Sequence, residues 1–283
     1  MKHSKAKHAK AMRFSKSNWS KTGVIRLILL CVFGCSFLVA AYKLMEIHNA
    51  YKTGSDVYDQ IQFEVVDENE MAETGPDQEA ESVTDEPEVM INQEKAPISV
   101  DFDALQEINP DVVGWIYSPG TPINYPIVQG KDNDEYLRHT IRREYNIAGS
   151  IFMDYRNEPD FSTVFNVIYG HNLYTQEMFG SLLNYKKDGY YEDHSVMWLL
   201  TPNGDYKLHV IAGFTLKASS SLYEFGMTEE GIGNFLAQAL EKNDFTPPAD
   251  DAPVENFLVM STCSYEYDDA RYIVVTRMEP LDF

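Results

Sequence analysis

From Val24 to Tyr42 the chain is apolar apart from one charge, Arg26, and no other stretch limits its folding choices as strongly. The run approaches the roughly 20 residues that a helix needs to cross a bilayer, and the stem of Arg26 is long enough to carry its guanidinium to the interface. Lys2, Lys5, Lys7, Lys10, Arg13, Lys16, Lys21 and Arg26 all precede Glu46, the first acidic residue. A cationic flank belongs on the cytoplasmic side. The expectation is therefore a single-pass helix in the cell membrane, with a cytoplasmic N-terminus and the remainder of the chain outside. The competing reading is a secretory signal peptide cut at Val39-Ala40-Ala41. An apolar core of about 7–15 residues is usual for such a peptide, and the greater length here favours an uncleaved anchor.

A formal net charge of −21 over 283 residues argues against nucleic acid as a partner, because a phosphate-binding surface needs clustered Lys and Arg. The charge also divides the chain. Residues 1–22 form a basic tail suited to the cytoplasmic face of the membrane, 23–43 the span, 44–97 an acidic extracytoplasmic stalk, and 98–283 the one folded domain. Glu46 to about Asp59 could continue the membrane helix. From Glu64 to Lys95, clusters such as Asp67-Glu68-Asn69-Glu70 and Asp85-Glu86-Pro87-Glu88 come with almost no aromatic residues. Such a segment buries too little surface to offset its ordering entropy and reads as an extended, self-repelling spacer.

Order resumes near Ile98. Asp101 to Pro110 has apolar residues at helical spacing, with Asp101 as N-cap and Pro110 ending the pattern. The β-rich runs are Val112–Tyr117, Ile123–Val128, Ser150–Met153, Thr163–Tyr169, Val196–Leu200, Tyr206–Ala212, Phe257–Cys263 and Ala270–Val275. Pro119-Gly120 marks a turn, and Pro202-Asn203-Gly204-Asp205 marks a hairpin. Many short strands joined by tight turns predict a mainly β, α+β domain built on a barrel or sandwich. Two helical inserts are expected: Thr175–Tyr185, with Met178, Leu182 and Leu183 on one face, and Thr228–Lys242, with Ile232, Phe235, Leu236 and Leu240.

Cys31 and Cys35 lie in the span, which leaves Cys263 as the single thiol of the exterior domain. A lone exterior thiol is either buried and inert or reactive. Cys263 closes one apolar run and Arg271 opens the next, so a nucleophile and an oxyanion donor stand at neighbouring strand ends, an arrangement suited to acyl transfer. His171 ends the Val167-Ile168-Tyr169-Gly170 run and supplies an acid or base, with Gly170 permitting close backbone approach. Among the other histidines, His3 and His8 lie in the tail, His48 beside the span and His139 in a charged stretch. His194 is placed to cap a turn, and His209 alternates with Leu208 and Val210. Arg271 has a plain alternative, an ion pair with Asp268 or Asp269, and Arg277 shares its strand face. No His-x-x-x-His or Cys-x-x-Cys pattern in the exterior domain suggests a metal site, and no cofactor is expected.

Taken in order, several segments resemble a sortase of class B, and the resemblance covers nearly all of Ile98 to Phe283. They are Asn109-Pro110-Asp111-Val112-Val113-Gly114-Trp115, Ile123-Asn124-Tyr125-Pro126-Ile127-Val128-Gln129, Gly149-Ser150-Ile151-Phe152-Met153-Asp154, Tyr169-Gly170-His171-Asn172, Met178-Phe179 and Leu258-Val259-Met260-Ser261-Thr262-Cys263. The resemblance implies a closed eight-stranded β-barrel with peripheral helices behind one transmembrane helix. It also implies a membrane-anchored cysteine transpeptidase of Gram-positive bacteria that cleaves a C-terminal sorting signal after threonine. The acyl group then passes to a peptidoglycan cross-bridge or pilin amine. By the same resemblance Cys263 is the nucleophile, His171 the acid or base and Arg271 the oxyanion donor. Asn133, Leu137, Ser261 and Tyr223 line the sorting-signal groove. The chain departs from the family in carrying Ser264 after the nucleophile and in the run Val259-Met260-Ser261-Thr262. Two other classes stay open: an exterior cysteine hydrolase and a noncatalytic membrane-tethered binding module. A papain-like order would place the cysteine before the histidine, and a binding module would leave Cys263 unreactive. No sorting signal follows the last strand, which favours the enzyme over its substrate.

Overall fold

The computed structural model describes residues 21–69, 95–218, 229–248 and 256–281. Most of the acidic segment, Tyr223 and Thr228 lie outside the described residues. Two compact units divide the chain, Met1–Asn49 and Ala50–Phe283. Helix α1, Lys21–Val65, runs through that division. It is long and apolar enough to be a candidate membrane span, and side chains such as Leu30, Phe33 and Phe37 are exposed along it.

The second unit is built on a closed barrel. Its strands are β3 (Val112–Tyr117), β4 (Asn124–Val128), β5 (Ile151–Met153), β6 (Phe165–Tyr169), β7 (Val196–Leu200), β8 (Tyr206–Lys217), β9 (Phe257–Cys263) and β10 (Ala270–Pro280). Around the barrel they run β10-β8-β7-β3-β4-β5-β6-β9. The pairs β4–β5 and β6–β9 are parallel and the rest antiparallel. Closure removes exposed strand edges and fills the interior with side chains. Ile116, Ile127, Leu199, Leu258 and Met260 belong to that interior, within the main buried core. The buried Trp115 indole finds its acceptor on the next strand, with Nε1 donating to Asn124 Oδ1 at 2.7 Å. Ahead of the barrel, β1 (Val66–Glu68) and β2 (Ile98–Val100) pair as a ribbon, and α2 (Phe102–Ile108) follows. Asp101 caps α2 as expected, its side chain accepting from Ala104 N at 3.0 Å.

Alternation along the strands creates a second, outer core. On β9, Phe257 and Val259 face outward with Ile273 and Val275 of β10 and Phe165 and Val167 of β6. Helix α4 (Glu229–Glu241) covers them through Phe235 and Ala239. With both faces covered, β9 and β10 read as continuous apolar runs instead of alternating ones. The short helix α3 (Tyr190–Asp193) precedes β7, and β7 and β8 form the expected hairpin.

Three expectations shift. The folded unit begins at Ala50 instead of residue 98, because Tyr58, Ile61 and Val65 recur at helical spacing on α1 and are buried in the main core. The Tyr58 hydroxyl donates to Gly149 O at 2.7 Å. Residues 50–69 are therefore part of the domain and not of a solvated spacer. The Thr175–Tyr185 insert is no α-helix. Gln176 and Met178 adopt φ of 69° and 52°, Asn172 bridges to Met178, and only Gly180–Lys186 winds, as a 3₁₀ helix. Met178 and Leu182 are buried as the pattern required. On α4, Ile232 and Leu236 pack partly against the outer core, whereas Leu240 is exposed.

Two outcomes follow from this packing. A chain beginning at Lys95 is expected to be less stable than one beginning at Ala50. Three side chains worth roughly 1.5–3 kcal/mol each leave the core, so the loss is on the order of 5 kcal/mol. Equal urea midpoints for the two chains would refute the contribution of the helix. At Gly170 an added Cβ would lie 2.4 Å from Ile151 Cδ1 and 2.7 Å from Phe179 Cδ2. Gly170→Ala is therefore expected to cost about 1–3 kcal/mol by overpacking, visible in the thermal midpoint.

Candidate active site

Strand direction gathers the chemistry at one rim. Because β6 and β9 are parallel, their C-terminal ends lie together, with Tyr169 opposite Ser261. Because β10 is antiparallel to β9, its first residues return to the same rim, and Arg271 is the direct partner of Cys263. Phe257, Val259, Ser261 and Cys263 share the outward face of β9, as Arg271, Ile273 and Val275 share that of β10. α4 covers the Phe257 end of this face. The other end remains open as a cleft of about 360 Å³ in which Asn133, Leu137, His171, Ser261, Cys263 and Arg271 meet. Register also separates the two arginines of β10: Arg277 pairs with Phe257 at the opposite end and bonds Glu279 at 3.4 Å.

Each group is held by the backbone around it. Gly170 N donates to Ser261 O at 3.1 Å and Thr262 Oγ1 donates to Gly170 O at 2.8 Å, so the His171 turn is stitched to the cysteine strand. Asn172 Nδ2 donates to Cys263 O at 2.9 Å. His171 Nε2 lies 2.6 Å from Leu137 O. A carbonyl only accepts, so Nε2 carries the hydrogen and Nδ1 is the position left to exchange a proton. Gly149, with φ of 61°, backs the same carbonyl so tightly that a Cβ there would stand 2.5 Å from Leu137 O. Cys263 is partly buried and unpaired in any disulfide. Arg271 Nη1 donates to Ala270 O at 3.0 Å and, among the described residues, forms no ion pair with Asp268 or Asp269. The loop between Cys263 and Arg271 is tied down instead by an ion pair from Lys186 to Glu266.

Of the four groove candidates, Leu137 is exposed in the cleft, while Ser261 is nearly buried in its floor. Asn133 also lines the cleft, but its amide is committed: Nδ2 donates to Asp154 Oδ2 at 2.9 Å and Oδ1 accepts from Tyr155 N at 3.1 Å. Tyr223 lies outside the described residues. Phe152, Arg156 and Tyr169 line the cleft too, with the Phe152 and Tyr169 rings 5.3 Å apart; in the sequence Phe152 and Tyr169 stand only as motif residues, and Arg156 carries no signal. Asp154 likewise stands in the sequence only as the end of a motif. Burial pushes the Asp154 carboxyl up, but hydrogen bonds from Arg156, Asn133 and Tyr169 outweigh that and hold it below the ordinary aspartate value. Three other histidines of the second unit are occupied elsewhere. His209 Nε2 bonds Glu279 at 2.6 Å, His194 stacks on Tyr190, and His139 Nδ1 lies 2.6 Å from Glu135 O.

No family model matches the chain. Sortase B of Staphylococcus aureus is 30% identical to it over 195 residues, which span 68% of this chain and 80% of that protein. A solved Staphylococcus aureus sortase B–substrate complex superposes with a TM-score of 0.60 at 30% identity, over 64% of this chain and 85% of that one. Sortase B from Bacillus anthracis superposes with a TM-score of 0.65 at 28% identity, over 83% of this chain and 100% of that one. Identity of this level over most of a relative's length, together with a closed eight-stranded barrel of the same build, has one consequence: the chain belongs to the class B sortases, which are cysteine transpeptidases.

Proposed function

We propose that the chain cleaves a C-terminal sorting signal after threonine through a thioacyl intermediate on Cys263, then transfers the acyl group to a cell-wall or pilin amine. The observation that carries this reading is the direct pairing of Cys263 with Arg271 across β9 and β10, with His171 at the neighbouring strand end in the same cleft. A relative in this family has been captured as a sortase B–substrate complex, which supports a peptide substrate here. The candidate span in α1 supports an enzyme held at the cell membrane, with its N-terminus cytoplasmic and the unit from Ala50 outside. In this arrangement residues 1–22 are the tail and 23–43 the span, and residues 98–283 hold the catalytic barrel.

The chemistry takes two displacements. The Cys263 thiolate forms a bond to the threonine carbonyl carbon, and the guanidinium of Arg271 offsets the negative charge that develops on the oxygen. As the peptide C–N bond breaks, His171 passes a proton from Nδ1 to the departing amine, leaving a thioester. An incoming amine then attacks the thioester carbonyl, His171 takes up its proton, and the thiolate departs with the electron pair of the C–S bond. Hydrogen-bond donors aimed at such an oxyanion typically contribute about 2.7–4 kcal/mol to the barrier.

With the full chain in detergent and a set of sorting-signal peptides, mass spectrometry is expected to find an acyl adduct on Cys263 and an amine-dependent transfer product. Cys263→Ala should lose both while keeping its circular dichroism; cleavage surviving in that variant would reject the nucleophile assignment. Arg271→Lys is expected to lower kcat by about 10²-fold or more, because a point ammonium cannot reproduce the planar fork. A loss of less than about fivefold would remove Arg271 from the oxyanion role.

A further inference from the structure

One side chain outside the proposed catalytic trio organises more of the cleft than any member of it. Asp154 is fully buried just past the end of β5. Its Oδ2 accepts from Asn133 Nδ2, Tyr169 Oη and Arg156 Nη2, each at 2.9 Å. Its Oδ1 accepts from Arg156 Nε at 2.9 Å and from Arg156 N at 3.0 Å. The Asp154 backbone is fixed as well, with N donating to Val167 O at 2.9 Å and O accepting from Gln129 Nε2 at 3.0 Å. The three side chains that converge on this carboxylate come from three parts of the chain: the loop before Glu135–Arg138, the loop after β5, and the end of β6. All three line the cleft.

We infer that Asp154 is the positioning residue of the substrate cleft, holding Asn133, Arg156 and Tyr169 as one prearranged wall for the bound peptide. The inference rests on the proposed peptide-cleaving reading of that cleft. Its physical basis is the donor count. A buried aspartate with five donors aimed at it can only be ionised, since a proton on either oxygen would face an N–H or O–H. The same bonds fix what each partner offers to the cleft. With Nδ2 on Asp154 and Oδ1 on Tyr155 N, the Asn133 amide has one orientation. With Nε and Nη2 both bound, the Arg156 guanidinium plane is locked in a two-point fork. With its hydroxyl donated, Tyr169 is held beside Phe152 and opposite Ser261. Preorganisation of this kind lowers the ordering cost of binding, so its loss should appear in substrate affinity before it appears in the chemical step.

The amide of Asp154→Asn brings its own donors against the donors of its neighbours while preserving shape. In the full chain in detergent, assayed with the peptide that the wild type cleaves best, this variant is expected to raise KM about tenfold or more, with kcat within about threefold. Alkylation of Cys263 by iodoacetamide, which needs no cleft wall, should stay within about twofold of wild type. Should Asp154→Asn fail to fold, Tyr169→Phe removes one donor and leaves the carboxylate paired; its KM is expected to rise about threefold or more with unchanged alkylation. The double variant should lose less than the sum of the two single losses, because both act through one network. An unchanged KM in the folded variants overturns the inference, as do strictly additive losses or alkylation that falls in step with turnover. A wild-type chain that neither cleaves nor acylates removes the peptide reading and the inference with it, whereas an active wild type with an indifferent Asp154→Asn variant removes the inference alone.

Discussion

The site depends on the ladder that joins β9 to β6 on one side and to β10 on the other. Two directions of pairing are required. The parallel partner delivers its C-terminal end to the rim where β9 ends, and the antiparallel partner begins there. Had all three strands been antiparallel neighbours, the turn carrying His171 would sit at the far end of the barrel. Register matters as much as direction, since a slip of one residue would turn Cys263 from the outward cleft to the packed interior. Barrel closure and the cover of α4 on the outer core oppose such a slip by fixing both faces of the same strands.

Much of this could be read in the sequence because the informative residues stand at the ends of strongly apolar runs. Cys263, His171 and Arg271 each mark a run boundary, and barrel strands buried on both faces are hard to mistake for loops. What could not be read is which run pairs with which. The β6–β9 partnership joins segments far apart in sequence, and nothing local to either specifies a parallel neighbour. The Thr175–Tyr185 insert misled for a different reason. Met178 and Leu182 are four residues apart, a spacing that suits a helix, yet a compact turn with Gln176 and Met178 at positive φ buries the same two side chains. Neither residue is a glycine or asparagine, so no composition signal announces the turn.

The N-terminal boundary shows how averaging hides a short amphipathic stripe. Tyr58, Ile61 and Val65 are few, and the acidic residues that follow dominate any composition window that includes them. Their burial becomes legible only once the helix geometry is imposed and the three are seen on one face. Asp154 escaped for a simpler reason. An aspartate after a strand reads as an ordinary turn residue, and only its surroundings reveal five donors and no solvent. The chain is strongly acidic overall, yet this carboxylate is neutralised locally by Arg156, so the cleft that it borders is not simply an extension of the negative surface.

Leu137 divides its labour between two parts of one residue. Its side chain faces the cleft, while its carbonyl receives the hydrogen of His171 Nε2 and is braced from behind by Gly149. Every amino acid has that carbonyl, so exchanging the side chain at this position can reshape what the cleft accepts without deleting the acceptor that sets the histidine's tautomer. Mutational drift can therefore explore new substrate preferences at position 137 while the proton-handling atom stays where it is. Gly149 lacks this latitude, since any side chain there would press on the shared carbonyl.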